Sequence, residues 1–329
     1  MNAVTVFAHL TMRCNAKCGF CFQTRDTDVC LSIKTLESWL ELLKPKHLVF
    51  LGGEPTLLAL PNSKPSLMEY VKTAKSYDCK LTLETNGKLL VYEPQIMEPL
   101  YDIFDYVSIS LDYLTPRVNM EVGRWDRDIL QQLMNIASER HNVSFTSVYL
   151  GGNLGDILML AEWSILNDKP YLVKCDKSMG VNMGSGDAIR NITILYRYLY
   201  MLLKTYNLNP YKSNVMVEEP QWITYLNLQT GYNASTGCSA GSKIFSILPN
   251  GALTPCPLGA MFYYIIAKSP EYEIQNIKTL NITGCSSCIY HIRYGCTGCP
   301  AFSGGSAKIC PLYKPAQQTE VRQEVKQTV

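Results

Sequence analysis

The first two-thirds of the chain alternates short apolar or β-branched runs with segments of helical apolar spacing, and that rhythm leaves few folds open. Strands are expected at Val4–Leu10, His47–Leu51, Lys80–Glu84, Asp105–Leu111, Ser144–Leu150 and Tyr171–Cys175. Helices are expected at "IKTLESWLELLK" and "DRDILQQLMNIASER", and over Ser66–Ser76, Pro94–Ile103, Ile157–Ile165 and Thr193–Tyr206. Repeated strand–helix alternation builds a parallel sheet with right-handed crossovers. Six such units fall short of the eight that close a barrel, so an open, partial (β/α)6 barrel is expected; a doubly wound flat sheet is the alternative. After about Tyr206 the rhythm breaks. "NLNPYKSNVMVEEPQW" reads as a connection, followed by short strands, turns such as "LPNGALTPCP" and glycine–cysteine clusters. The division expected is an α/β domain over residues 1–212, a small cysteine-rich domain over 213–312 and a polar tail over 313–329.

Apolar residues make up 47% of the 329 and charged residues 18%, which suits a sizeable core. The net charge of +2 comes with no basic cluster, so binding nucleic acid by neutralising phosphates is excluded. "MNAVTVFAHL" lacks the charged start, apolar run and cleavage site of a signal peptide. The longest apolar run, Leu258–Ala267, is about half a membrane span. A soluble, cytoplasmic protein is expected. In that reducing compartment thirteen cysteines, an odd number, point to metal ligation rather than disulfides.

Three of them, Cys14, Cys18 and Cys21 in "TMRCNAKCGFCFQ", follow the end of the first strand. Loops after strand C-termini form the functional face of parallel α/β folds. Three thiolates on one loop can hold three corners of a cubane 4Fe–4S cluster and leave the fourth iron open. A structural zinc loop would want a fourth nearby ligand, and the nearest histidine in sequence is His9.

C-x-x-x-C-x-x-C, with Phe20 just before the last cysteine, resembles the cluster loop of radical S-adenosylmethionine (radical SAM) enzymes. Three further segments are similar to family segments near the cofactor: "GGEP" (Gly52, Gly53, Glu54, Pro55) after the second strand, "ETNG" (Glu84, Asn86) ending the third, and "SISLD" (Ser110, Asp112) ending the fourth. Glycines at 52 and 53 would permit close backbone approach to the methionine amino group, and Ser110 is the expected ribose contact. The resemblance covers about residues 4–207. It implies a reduced cluster at Cys14, Cys18 and Cys21 that splits S-adenosylmethionine, a 5′-deoxyadenosyl radical that abstracts hydrogen from a substrate carbon, and a flavodoxin or ferredoxin as electron donor.

The C-terminal cysteines look like the SPASM extension, which carries two auxiliary 4Fe–4S clusters: Cys238-x(12)-Gly-x(4)-Cys256, then Cys285-x-x-Cys288, Cys296-x-x-Cys299 and Cys310. The resemblance implies Cys238, Cys256 and Cys299 around the first auxiliary cluster, and Cys285, Cys288, Cys296 and Cys310 around the second. The central spacing departs from the usual C-x(2)-C-x(5)-C-x(3)-C, and seven cysteines supply one ligand fewer than two cubanes need. A zinc ribbon from the two C-x-x-C pairs is the alternative. Its pairs usually stand about 15–20 residues apart, however, and it would leave Cys238, Cys256 and Cys310 unexplained.

Relatives with this extension modify peptides, or dehydrogenate or epimerise small molecules such as aminoglycosides. A peptide maturase (cross-link, epimerisation or oxidation) is the leading reading, a small-molecule enzyme the alternative, and a non-catalytic iron–sulfur electron carrier a third. Thirteen residues before Cys14 leave no room for a fused leader-binding domain, so a separate leader-peptide-binding partner is expected if a leader exists. Pro257 occupies the position of the acidic base of sulfatase-maturing relatives, which disfavours formylglycine formation. Cys30, Cys79 and Cys175 remain over; Cys175 and Cys30 are candidate hydrogen-atom donors, against the plainer reading of small packed residues.

Overall fold

The computed structural model describes residues 4–21, 23, 28–176, 186–232, 234, 239–241, 243–257 and 267–270. Among them strands form at β1 (Thr5–His9), β2 (His47–Leu51), β3 (Lys80–Thr85), β4 (Tyr106–Ser110), β5 (Val143–Tyr149), β6 (Tyr171–Cys175), β7 (Val215–Val217), β8 (Ile244–Ile247) and β9 (Leu253–Thr254). Helices form at α1 (Ile33–Leu43), α2 (Leu67–Lys75), α3 (Lys88–Tyr92), α4 (Pro94–Tyr101), α5 (Pro116–Glu121), α6 (Leu130–Glu139), α7 (Leu154–Leu166), α8 (Gly186–Thr205) and α9 (Pro220–Thr230). The six expected strands appear within a residue or so of their predicted bounds. The expected connection after Tyr206 instead contains α9, which starts with Pro220 at its first position and ends at Gly231 in the left-handed conformation.

The chain divides into two compact units: Met1–Val148, Met159–Leu172 and Ser239–Lys278 in the first; Tyr149–Leu158, Val173–Cys238 and Thr279–Val329 in the second. In the first unit β1 to β5 lie side by side in chain order and pair in parallel, with Thr5 opposite His47, Leu48 opposite Leu81 and Ile109 opposite Phe145. On the other flank of β1 lies β8, also parallel, with Thr5 opposite Ile244; β9 returns antiparallel to it. Strands covered on both faces read as near-continuous apolar runs. Accordingly Val6, Ala8, Leu48, Phe50, Leu81, Leu83, Val107 and Ile109 are all buried.

The helices of this unit are fixed by local chemistry. Ser32 caps α1, and Ser66 with Glu69 forms a capping box at α2. The buried stripe of α1 is Leu36, Trp39 and Leu40, and the Trp39 indole N–H donates to Gly251 O at 2.9 Å. That bond ties α1 to the turn between β8 and β9. Phe50 meets Tyr70 and Phe104 edge-on at 6.3 and 6.2 Å. In the second unit Tyr196 of α8 packs on Trp222 of α9, which stacks on Tyr225 at 5.9 Å. Glu218 N donates to Val173 O at 3.0 Å, and the adjacent Glu219 carboxylate accepts the N–H of Cys175 at 2.9 Å.

Candidate metal and cofactor site

The three-cysteine loop leaves β1 at Leu10, whose N–H still donates to Leu51 O of β2. It then runs antiparallel to the returning chain for one residue pair, Thr11 opposite Cys30. Two clips hold it from there. On one side Gly53 N donates to Thr11 O and Glu54 N to Arg13 O, both at 2.7 Å. A side chain at position 53 would put Cβ 2.1 Å from Arg13 O, so only glycine lets the "GGEP" turn lie this close. On the other side Lys17 N donates to Gly123 O at 2.6 Å and Gly19 N to Val122 O at 3.0 Å. Cys14, between the clips, and Cys18, within the second, are half-buried, while Cys21 just beyond is exposed, with Cys21 N donating to Cys18 O at 3.2 Å.

Glu54 is fully buried and braces strand ends. Its Oε1 accepts from Thr56 N at 3.1 Å, Thr56 Oγ1 at 2.6 Å and Thr85 Oγ1 at 2.7 Å, and its Oε2 accepts from Asn86 N at 2.7 Å. Burial raises its pKa, and these four bonds work against the rise. Pro55 opens the short 3-10 turn Pro55–Ala59 and is buried. At the end of β3, Asn86 Nδ2 donates to Asn15 Oδ1 at 2.7 Å and lies 3.9 Å from Cys14 Sγ. Glu84 and Ser110 are half-buried on β3 and β4, where Glu84 stands opposite Ser108 and Ser110 opposite Thr146.

Just past β4, Asp112 is fully buried, accepts Val148 N at 2.8 Å and forms an ion pair with Arg124. Arg124 lies over the Phe20 ring, 5.4 Å from its centre. Burial works against its charge, but Asp112, then Cys18 and Cys14, together hold its pKa above the ordinary value. Its Nε is buried with no hydrogen-bond partner among the described residues. Burial pushes the Cys14 thiol up to about 11, with the Ala16 N–H opposing. A protonated, desolvated thiol of this kind gives up its proton to a metal.

These residues fit an iron–sulfur cubane. Three thiols share one loop held by two clips, and a buried guanidinium offsets the charge of Cys14 and Cys18 when they ionise. Among the described residues no three His, Cys, Asp or Glu side chains converge on one point as a single ion requires; a cubane offers a separate iron corner to each thiolate.

Sequence reasoning missed Arg124, Lys88 and Asn15. Arg124 is the only one with a local sign, the preceding Gly123, whose Cβ would strike Lys17 O at 2.3 Å. Of the two candidate hydrogen-atom donors, Cys30 sits beside the loop, its thiol 3.5 Å from Thr11 Oγ1, and Cys175 is buried at the end of β6 in the second unit. Cys79 is half-buried against Ala74 O at 3.8 Å, as a packed residue would be. Of the C-terminal set Cys256 is half-buried just after β9; Cys238, Cys285, Cys288, Cys296, Cys299 and Cys310 lie outside the described residues. Among the described residues no helix is long and apolar enough to cross a membrane.

Comparison with known proteins places this geometry. The fold is similar to that of SuiB of Streptococcus suis, solved with its precursor peptide SuiA, at a TM-score of 0.65 and 20% identity over 96% of this chain and 75% of that one. It is equally similar to anSMEcpe, solved with bound AdoMet, at a TM-score of 0.64 and 15% identity over 99% and 96%. In sequence the chain is 28% identical over 192 residues to an S-adenosylmethionine-dependent nucleotide dehydratase of Selenomonas ruminantium, covering 52% of this chain and 68% of that one. Curated relatives of the same description are matched over 32% to 68% of their own length. Residues 9–164, which hold the cysteine loop, both clips and the Asp112–Arg124 pair, match the model of the Radical SAM superfamily.

Proposed function

We propose that this chain is a radical SAM enzyme that abstracts hydrogen from a carbon of a peptide substrate. The observation that carries the reading is the three-thiol loop pinned between Gly53 and Gly123, with the buried Arg124 cation beside it. When loaded, a 4Fe–4S cluster and S-adenosylmethionine would supply a 5′-deoxyadenosyl radical. Cys14, Cys18 and Cys21 would hold the cluster. Arg124, its Nε unpartnered and its charge fixed by Asp112, is suited to the cofactor's carboxylate. Phe20, Gly52, Glu84 and Ser110 would line the cofactor's remaining parts, while Glu54, Pro55 and Asn86 keep the strand ends in register.

The cysteines from Cys238 to Cys310 would form a SPASM domain with two auxiliary clusters, an extension that peptide and small-molecule enzymes share; the peptide reading draws its support from the likeness in fold to SuiB, solved with its precursor peptide. A flavodoxin or ferredoxin in the cytoplasm would supply electrons, with a separate leader-binding protein if the substrate has a leader. Cys175 or Cys30 would return hydrogen to the substrate in an epimerisation. A second reading, a small-molecule substrate and specifically a nucleotide, draws support from the similarity to nucleotide dehydratases.

The test is 5′-deoxyadenosine release by the anaerobically reconstituted, reduced protein. Release is expected from the wild type and not from Cys14→Ala, Cys18→Ala or Cys21→Ala. Peptides encoded beside the gene should accelerate it and nucleoside triphosphates should not; the reverse pattern would replace the peptide reading with the nucleotide one.

A further inference from the structure

Asn86 turns its backbone N–H and both ends of its side-chain amide to the cysteine loop and its supports. It is 6% exposed, and its backbone N–H is held by Glu54 Oε2 at 2.7 Å. Its side-chain oxygen accepts the N–H of Lys88 at 2.9 Å, which fixes the amide's orientation: the NH2 group must face the loop. There it donates to Asn15 Oδ1 at 2.7 Å and points one N–H toward Cys14 Sγ, 3.9 Å away. Cys14 Sγ also receives the Ala16 N–H at 3.4 Å. Lys88, its side chain 7% exposed, completes the brace. Its Nζ donates to Asn15 O at 2.9 Å and pairs with Asp126 at 3.2 Å.

The geometry points to Asn86 as a positioning residue that sets the reduction potential of the cluster on Cys14, with Lys88 as its support. This rests on the reading that Cys14, Cys18 and Cys21 hold a 4Fe–4S cluster. Reduction adds electron density to the cluster sulfurs, so an N–H aimed at a ligating sulfur, and a buried ammonium nearby, both favour the reduced state and raise the potential. Within "ETNG", Asn86 would then serve the loop rather than the cofactor.

The experiment is a redox titration of the reconstituted protein, following the EPR signal that changes when S-adenosylmethionine is added, together with iron content per chain. Asn86→Ala removes the donor, Asn86→Asp replaces it with a carboxylate of the same shape, and Lys88→Met removes the charge. The expected midpoint potential falls from wild type to Asn86→Ala and further to Asn86→Asp, and it falls in Lys88→Met. Asn86→Ser, which keeps a short donor, should recover part of the shift. A merely structural role would lower iron content and leave the potential of the assembled cluster where it was, and that result in either Asn86→Ala or Lys88→Met overturns the inference. A wild type that assembles no cluster responsive to S-adenosylmethionine overturns the proposed function and this inference together; a normal wild-type cluster with unshifted variants overturns this inference alone.

Discussion

Replacing Gly53 by alanine tests the clip on the cysteine loop, because the damage can be worked out before the experiment. The added Cβ would lie 2.1 Å from Arg13 O and 2.6 Å from Met12 O. Real Cβ atoms do not come that close to backbone, so the loop must retreat by about 1 Å. Retreat stretches the 2.7 Å bonds from Gly53 N to Thr11 O and from Glu54 N to Arg13 O beyond useful length. Two backbone bonds lost in a part-buried site cost about 2–5 kcal/mol together. At about 2 °C per kcal/mol for a domain this large, the melting temperature should fall by about 4–10 °C. Gly19→Ala is the control within the same loop: its Cβ would meet nothing within 4 Å, and its backbone lies outside the left-handed region, so its effect should stay within about 0.5 kcal/mol. Calorimetry on the metal-free proteins gives the stability, and iron per chain after anaerobic reconstitution gives the consequence for the site. Gly53→Ala should melt early and load less iron than Gly19→Ala. If the two variants melt and load alike, the close approach does not hold the loop and the reasoning is wrong.

The Asp112–Arg124 pair should behave as a buried ion pair: Asp112→Asn costs about 3–5 kcal/mol in urea unfolding by stranding the guanidinium, and adding Arg124→Met restores most of that loss. Burial, then the neighbouring Lys80, lowers the pKa of His47 from its ordinary 6.5, so the folded chain resists a proton that the unfolded chain accepts. Stability is therefore at its plateau above about pH 6.5 and declines as pH falls from there toward the lowered folded value; His47→Gln should flatten the melting temperature between about pH 7 and pH 5. Gln221 and Thr224 are fully buried, and their side-chain amide and hydroxyl have no partner among the described residues. Gln221→Met, close in shape, should therefore raise the melting temperature, by about 1–3 kcal/mol of stability; a lower one would show that the amide is bonded in solution.

What could be read from the sequence was what local chemistry determines. The strands of the parallel sheet announce themselves because both faces are covered and almost every residue is apolar, as in "HLVFL" of β2. The cysteine loop was legible from spacing alone, and the turn at Gly251, at φ +86°, from its "PNG". What escaped depends on contacts between residues far apart. Nothing in "LPNGALTPCP" signals that the strand before it pairs in parallel with β1, more than two hundred residues upstream. Lys88 reads as a surface lysine until the fold buries it against Asn15 O. Arg124 follows Asp112 by twelve residues, and only the path of α5 brings its guanidinium back to Asp112 and Phe20. Glu54 stands in "GGEP", but nothing in that motif signals that its carboxylate accepts four bonds from Thr56, Thr85 and Asn86.

The central claim is that thiolates from Cys14, Cys18 and Cys21 hold a cubane with one iron left for the cofactor. Electron–nuclear double resonance on the reduced, reconstituted protein, with S-adenosylmethionine isotopically labelled in its amino and carboxylate groups, reads this directly. Hyperfine coupling from both labels, lost when any one of the three cysteines becomes alanine, is the predicted result. A reduced 4Fe–4S signal on an otherwise loaded protein with no coupling to either label would contradict it.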